Sequence, residues 1–129
     1  MNNLLILGAT SDMAQAIAKK HAAEGWSLTL AARSAEKLEP IAGDLRVRSG
    51  AEIKVMEFDA SDFASHRAFY EALEEKPERV IACFGYMGDQ EVARHDFDEA
   101  RNTIDVNFTG MVSILSLIAD EFETCFELL

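Results

Sequence analysis

Four short apolar runs, each followed by a stretch of helical composition, constrain this chain more than any other feature. Residues 3–8 (NLLILG) show no polar alternation and suit a strand buried on both faces. Residues 12–24 (DMAQAIAKKHAAE) follow, with Met13, Ala16, Ile17 and Ala23 at helical spacing and Gly25 as the stop. A second run at 27–32 (SLTLAA) precedes a helical stretch at 35–48. There Pro40 argues that the helix begins only near its own position, where a missing N–H costs little. A third run at 52–58 (EIKVMEF) precedes a helix over 62–75 closed by Pro77. The fourth, 79–84 (RVIACF), opens into a glycine-bearing loop at 85–88. From about residue 98 onward the pattern is helical, with a bend expected near 109–110. Strand and helix alternating with short connections imply βαβ units and a parallel sheet. Right-handed crossovers then wind helices onto both faces, giving a doubly wound α/β domain.

Ligands of such sheets bind beyond the carboxyl ends of the strands, here the loops at 8–12, 32–34, 58–60 and 84–89. In GATSDMA, Gly8 allows a tight turn and close backbone approach, and Thr10 and Ser11 offer hydroxyls. The free N–H groups of a helix N-terminus suit a pyrophosphate. A dinucleotide fingerprint carries three glycines; only Gly8 is present, with the small Ala14 where a later one would stand. A plain strand-to-helix turn fits the same residues. Asp12 would repel a phosphate, and Asp12-x-x-Gln15 favours a cap in which its carboxylate turns back onto the helix amides.

At the next strand end the sequence reads LAARS. Arg33 and Ser34 stand where an NAD-binding unit carries an acid, about 20 residues past the glycines. A guanidinium there accommodates a 2′-phosphate through paired, charged hydrogen bonds, so NADP(H) is preferred over NAD(H). An ordinary surface arginine is the alternative. Asp59 either accepts from an adenine amino group or caps the helix starting near Asp62, and Gly85 either leaves room for a flat ligand or is a plain loop glycine.

Charge and composition narrow the partners. With 12 basic and 23 acidic residues the net charge is −11, which argues against nucleic acid, whose phosphates want a basic face. No unbroken run reaches the 18 or so apolar residues of a membrane span, and the N-terminus has no signal-peptide pattern, so no membrane association and a cytoplasmic location are expected. Cys83 and Cys125 form no CxxC pair, and His21, His66 and His95 show no ligand spacing, so neither a disulfide framework nor a metal site is expected.

Taken in order, these stretches resemble the short-chain dehydrogenase/reductase family. LGATSDMA is similar to the family's TGxxxGxG loop, with Gly8 retained, Leu7 for the threonine, and Asp12 and Ala14 for the later glycines. Arg33 falls at the family's NADP(H) arginine and Asp59 at its adenine-contacting aspartate. Ala82-Cys83-Phe84-Gly85 is similar to its NNAG segment, keeping only the glycine, and Val106-Asn107-Phe108-Thr109-Gly110 matches VNxxG. The resemblance implies a single, partial Rossmann-type NADP(H)-binding domain over residues 1–129, truncated after about four strands and a long final helix. It implies cofactor contacts at Gly8, Thr10, Ser11, Asp12, Met13, Arg33, Ser34, Asp59, Ala60, Phe84 and Gly85. It gives Asn107 a catalytic role: bending its helix and holding a water that links the catalytic lysine to solvent. The implied parent is an NADP(H)-dependent carbonyl reductase or alcohol dehydrogenase acting on a small carbonyl or alcohol substrate.

The family's reaction also needs a serine and a Tyr-x-x-x-Lys pair. Tyr70 is followed four positions on by Glu74, Tyr86 by Gln90, and the last lysine is Lys76. No turnover is therefore expected from this polypeptide alone. Ile114, Ile118, Phe122 and Phe126, with Leu129 beyond them, form an apolar stripe that reads as core packing. A homo-oligomer through this final helix is compatible with the family. The other functional readings are a non-enzymatic dinucleotide sensor or interaction module and a non-functional fragment; substrate and oligomeric state are not legible.

Overall fold

The computed structural model describes residues 2–122. Strands β1 (Asn3–Leu7), β2 (Ser27–Ala32), β3 (Ile53–Glu57) and β4 (Arg79–Ala82) form one sheet in the order β3-β2-β1-β4, with every pairing parallel. The chain steps outward from β1 to β3 and then crosses back to set β4 on the other side of β1. The strand order therefore reverses beside β1, and the crevice at the carboxyl ends of β1 and β4 is the switch point.

Alternation along the strands divides the interior into two cores. Leu4, Ile6, Leu28 and Leu30 face helices α1 (Asp12–Ala23) and α2 (Ala35–Ser49). Leu5, Leu7, Ala31 and Val80 face α3 (His66–Glu71) and α6 (Gly110–Glu121). Every residue of β1 is buried, as a central parallel strand covered on both faces requires.

Several sequence expectations change here. The face α1 buries is Ala14, Ala18 and Ala22, while Met13 is 70 % exposed and Ala16 and Ala23 also point to solvent. Alanine at every fourth position lets the helix lie close on the sheet, and of the larger apolar residues Ile17 packs, partly buried, against the same core. Pro40 lies inside α2, which begins at Ala35. Its ring costs one hydrogen bond and strain of about 3 kcal/mol, but Glu36, whose carbonyl loses its partner, is exposed to water. Buried Leu38, Ala42 and Leu45 hold the helix on both sides of the proline. The third helix is shorter than the sequence implies: a 3₁₀ turn, Phe63–Ser65, leads into six residues of α3.

Beyond β4, two short helices, α4 (Gln90–Ala93) and α5 (Phe97–Ile104), precede a π-helical turn at Asp105–Thr109 and then α6. This π turn stands where the sequence leads one to expect a bend, with Gly110 directly after it. A Cβ on Gly110 would overlap the Ala60 carbonyl, so glycine lets α6 lie against the loop after β3. Ile114 and Ile118 are fully buried, as the apolar stripe requires, and Phe122 is half-buried past the helix end. Cys125, Phe126 and Leu129 lie outside the described residues. Taken together, Phe97–Glu121 is long and apolar enough to cross a membrane, with mean hydropathy 1.2 over its most apolar window. The absence of an unbroken apolar run does not exclude such a segment; in this fold Ile114 and Ile118 pack into the sheet core.

Candidate cofactor site

The four strand-end loops converge on an open cleft of about 310 Å³ at the switch point. Its floor begins at Gly8, the residue after β1, with φ +80°. A Cβ there would stand 2.5 Å from the backbone nitrogen of Phe84 and 2.6 Å from its Cα, so only glycine lets the β1 and β4 exits come together. The Gly8 and Ala9 N–H groups donate to the Ala31 carbonyl, tying the turn to β2.

The helix that follows is capped by Ser11. The Ala14 N–H donates to Ser11 Oγ at 3.1 Å, and the Gln15 side chain reaches back to the Thr10 carbonyl at 2.9 Å. The expected Asp12 cap is thus corrected. Ser11 has the extended backbone of an N-cap (ψ 153°), while Asp12 is already the first helical residue. The Asp12 and Met13 side chains do not line the cleft. Among the described residues, the backbone N–H groups of Thr10, Asp12 and Met13 have no hydrogen-bond acceptor. Asp12 and Met13 therefore fit an anion through the main chain only.

At the end of β2 the cleft is lined by Arg33, Ser34 and Lys37. Arg33 and Lys37 are exposed and neither enters an ion pair among the described residues, unlike Lys20, Arg46, Arg48, Lys54 and Arg94. Ser34 is the N-cap of α2, yet its hydroxyl makes no capping bond. Lys37 carries no mark in the sequence because it occupies an ordinary exposed helix position. Four residues after Arg33, it lies one turn into α2, on the side of the cleft.

Opposite stand Phe58, Asp59 and Ala60. Asp59 Oδ1 accepts from the Ser61 N–H at 3.0 Å and the Ser61 hydroxyl at 2.8 Å, so it closes its own turn instead of capping the helix near Asp62. Its Oδ2 has no protein donor among the described residues. Phe58 and Phe84, with ring centroids 5.6 Å apart, join Val106 in the apolar part of the lining.

On the β4 side lie Cys83, Phe84, Gly85 and Tyr86. Burial pushes the Cys83 thiol above its ordinary pKa, which makes it a poor nucleophile. The Tyr86 hydroxyl donates to Glu99 Oε1 at 2.6 Å, and that hydrogen bond to a carboxylate raises the phenol pKa. Asn107 does not line the cleft. Its Oδ1 accepts from the Tyr86 N–H at 2.9 Å, and its Nδ2 donates to the carbonyls of Tyr86 (2.6 Å) and Thr103 (2.9 Å). Both amide hydrogens are spent, so the side chain clamps the β4 exit loop and keeps no donor for a water. Asn107 stands in the middle of the π turn.

The cleft thus gathers Gly8, Thr10, Ser11, Arg33, Ser34, Asp59, Ala60, Phe84 and Gly85, adds Lys37, Tyr86 and Val106, and leaves aside the side chains of Asp12, Met13 and Asn107. Residues 2–125 match the model of the short chain dehydrogenase family. An oxidoreductase of Mycobacterium tuberculosis is 32 % identical over 124 residues, which cover 94 % of this chain and 49 % of that protein. An alcohol dehydrogenase of the archaeon Thermococcus sibiricus, complexed with 5-hydroxy-NADP, is 29 % identical with a TM-score of 0.75, covering 93 % of this chain and 52 % of that one. An NAD⁺-bound xylitol dehydrogenase is similar in fold (TM-score 0.82, 21 % identity), covering 92 % of this chain and 47 % of that one. The chain spans about half the length of these relatives.

Proposed function

The chain belongs to the short-chain dehydrogenase family, and from that premise we propose that its cleft holds NADP(H) in preference to NAD(H), as the cofactor half of an oxidoreductase acting on a small carbonyl or alcohol. The observation that carries this reading is the pair Arg33 and Lys37, which line the cleft around Ser34, exposed and in no ion pair among the described residues of a chain of net charge −11. Two cations that line the cleft itself, with no carboxylate partner among the described residues, are placed to meet an external anion, and a 2′-phosphate is the anion that distinguishes the two cofactors. The NADP analogue in the Thermococcus enzyme supports this preference. The NAD⁺-bound relative means that the shared fold does not select between the cofactors, so the choice rests on these side chains.

When bound, the nicotinamide supplies or accepts the hydride. The chain's own contribution would be positional: Gly8 would admit the close approach, the first amides of α1 would hold the pyrophosphate, and Asp59 would offer Oδ2 to the adenine amino group. Because neither tyrosine precedes a lysine by four positions, this polypeptide binds cofactor without turning substrate over. A cytoplasmic setting is part of the same proposal. The second reading, a dinucleotide-binding interaction module, is favoured by the exposed residues Ile104, Phe108 and Val112 along the α5–α6 stretch. The same stripe would serve self-association.

Parallel titrations with NADPH and NADH test the assignment. A charged hydrogen bond contributes about 1.5–3 kcal/mol, so Arg33→Glu is expected to weaken NADPH binding at least tenfold, with NADH nearly unchanged. Lys37→Ala is expected to shift the same ratio by a smaller factor. Equal losses for both cofactors would overturn the 2′-phosphate reading. NADPH oxidation that survives repurification and requires Asn107 would overturn the prediction of no turnover.

A further inference from the structure

His66, the first residue of α3, is only 1 % exposed and has polar partners on both ring nitrogens. Nε2 lies 2.9 Å from the Asp59 carbonyl oxygen and Nδ1 2.7 Å from Ser113 Oγ on α6. A carbonyl only accepts, so Nε2 carries a hydrogen, and Nδ1 pairs with the Ser113 hydroxyl. The ring also stacks on Phe58, centroids 5.0 Å apart and planes 26° from parallel. A buried imidazole with both nitrogens engaged and one face packed has a single orientation.

The carbonyl it holds belongs to the turn at 59–61. The same turn presents the free Oδ2 of Asp59 and lines the cleft through Asp59 and Ala60. The glycine face of α6 touches this turn a second time, where Gly110 closes on the Ala60 carbonyl. One helix thus sets the adenine side of the cleft through Gly110 and Ser113, while Asn107 in the preceding turn sets the β4 side.

We propose that Ser113 and His66 form a positioning relay for the adenine end of the cofactor: α6 fixes the His66 ring, and the ring fixes the turn from which Asp59 and Ala60 meet the base. The proposal rests on the dinucleotide reading of the cleft and adds to it two residues that touch no cofactor. Neither is marked by local sequence, since the two lie 47 positions apart.

Three variants separate positioning from packing. His66→Phe keeps the ring and its stack but removes both nitrogens. His66→Gln restores a donor near the place of Nε2, and Ser113→Ala removes only the hydroxyl. Two readouts are taken on the whole chain: affinity for NADPH and for adenosine 2′,5′-bisphosphate, and ligand-free amide exchange at Ser61. His66→Phe is expected to weaken both ligands about five- to tenfold, the worth of one to two net hydrogen bonds, and to speed Ser61 exchange by a similar factor. His66→Gln is expected to recover most of each, and Ser113→Ala to lose less than Phe. Unchanged exchange and affinity in the Phe variant, or Gln no better than Phe, overturns the relay. If His66→Phe does not fold, Ser113→Ala decides by the same criteria: wild-type values in both readouts overturn it. If wild-type chain binds neither ligand, the cofactor reading fails on its own, and Ser61 exchange still shows whether His66 holds the turn.

Discussion

Replacing Gly8 by alanine separates two effects that coincide at this position, and Gly25 supplies the control. Both glycines have left-handed backbone, φ +80° and +87°. Around Gly25 a Cβ meets nothing within 4 Å, whereas at Gly8 it would stand 2.5–2.7 Å from the backbone and Cβ of Phe84. Ordinary carbon contacts are about 3.5–4.0 Å, so the overlap is close to an ångström and falls on main chain that cannot swing aside. The conformational term common to both is about 1–2 kcal/mol, reduced by roughly 0.4–1 kcal/mol because alanine also stiffens the unfolded chain. Gly25→Ala is therefore expected to destabilise by about 1 kcal/mol. Gly8→Ala adds the strain of forcing β1 and β4 apart, about 1–3 kcal/mol for an overpacked interior, for a total of about 2–4 kcal/mol. Such a loss is a large share of the 5–15 kcal/mol typical of a domain. Urea unfolding followed by circular dichroism, with m-values compared, measures both. Losses within about 0.5 kcal/mol of each other would mean that the approach of the two strand exits is absent, and the cleft floor with it.

Asn107→Ala removes two hydrogen bonds between the π turn and the loop after β4, and a third to the Thr103 carbonyl of α5. It is expected to cost about 1–3 kcal/mol and to speed amide exchange at Tyr86, whose N–H loses its acceptor; protection unchanged at Tyr86 would refute the clamp. Both tyrosines are expected to ionise above the ordinary phenol value of about 10, Tyr70 because of burial and Tyr86 because it donates to Glu99. With folded values raised, their contribution to stability is complete below the unfolded value and is lost as pH rises through the folded ones. In a spectrophotometric titration Glu99→Gln should lower the Tyr86 midpoint and leave that of Tyr70; a shift in both, or in neither, would refute the assignment.

Three strands were legible because burial on both faces leaves a largely apolar run, as in NLLIL, SLTLAA and RVIA, while edge strand β3 (IKVME), only partly buried, was legible from its place in the strand–helix alternation. Gly8, Arg33, Asp59 and Gly85 were legible as a site because topology puts strand ends together, and they do share one cleft. Lys37 and Tyr86 were not, since an exposed helix lysine and a loop tyrosine carry no local mark of the cleft beside them. The cap of α1 was misread between neighbours: Ser11 and Asp12 are both good cap residues, and only the backbone angle at Ser11 separates them. Pro40 misled because a local penalty of a few kcal/mol was outweighed by Leu38, Ala42 and Leu45 in the core.

Local chemistry by itself determined the order of strands and helices, the parallel sheet and the glycine turn, because periodicity and turn residues act over a few positions of chain. The meeting of Arg33 and Lys37 at one cleft, the saturation of Asn107 by Tyr86 and Thr103, and the link from Ser113 through His66 to Asp59 were decided only by the tertiary structure. These depend on which distant groups packing brings within hydrogen-bonding distance, and that distance is set by the alanine, glycine and isoleucine contacts holding α1 and α6 to the sheet.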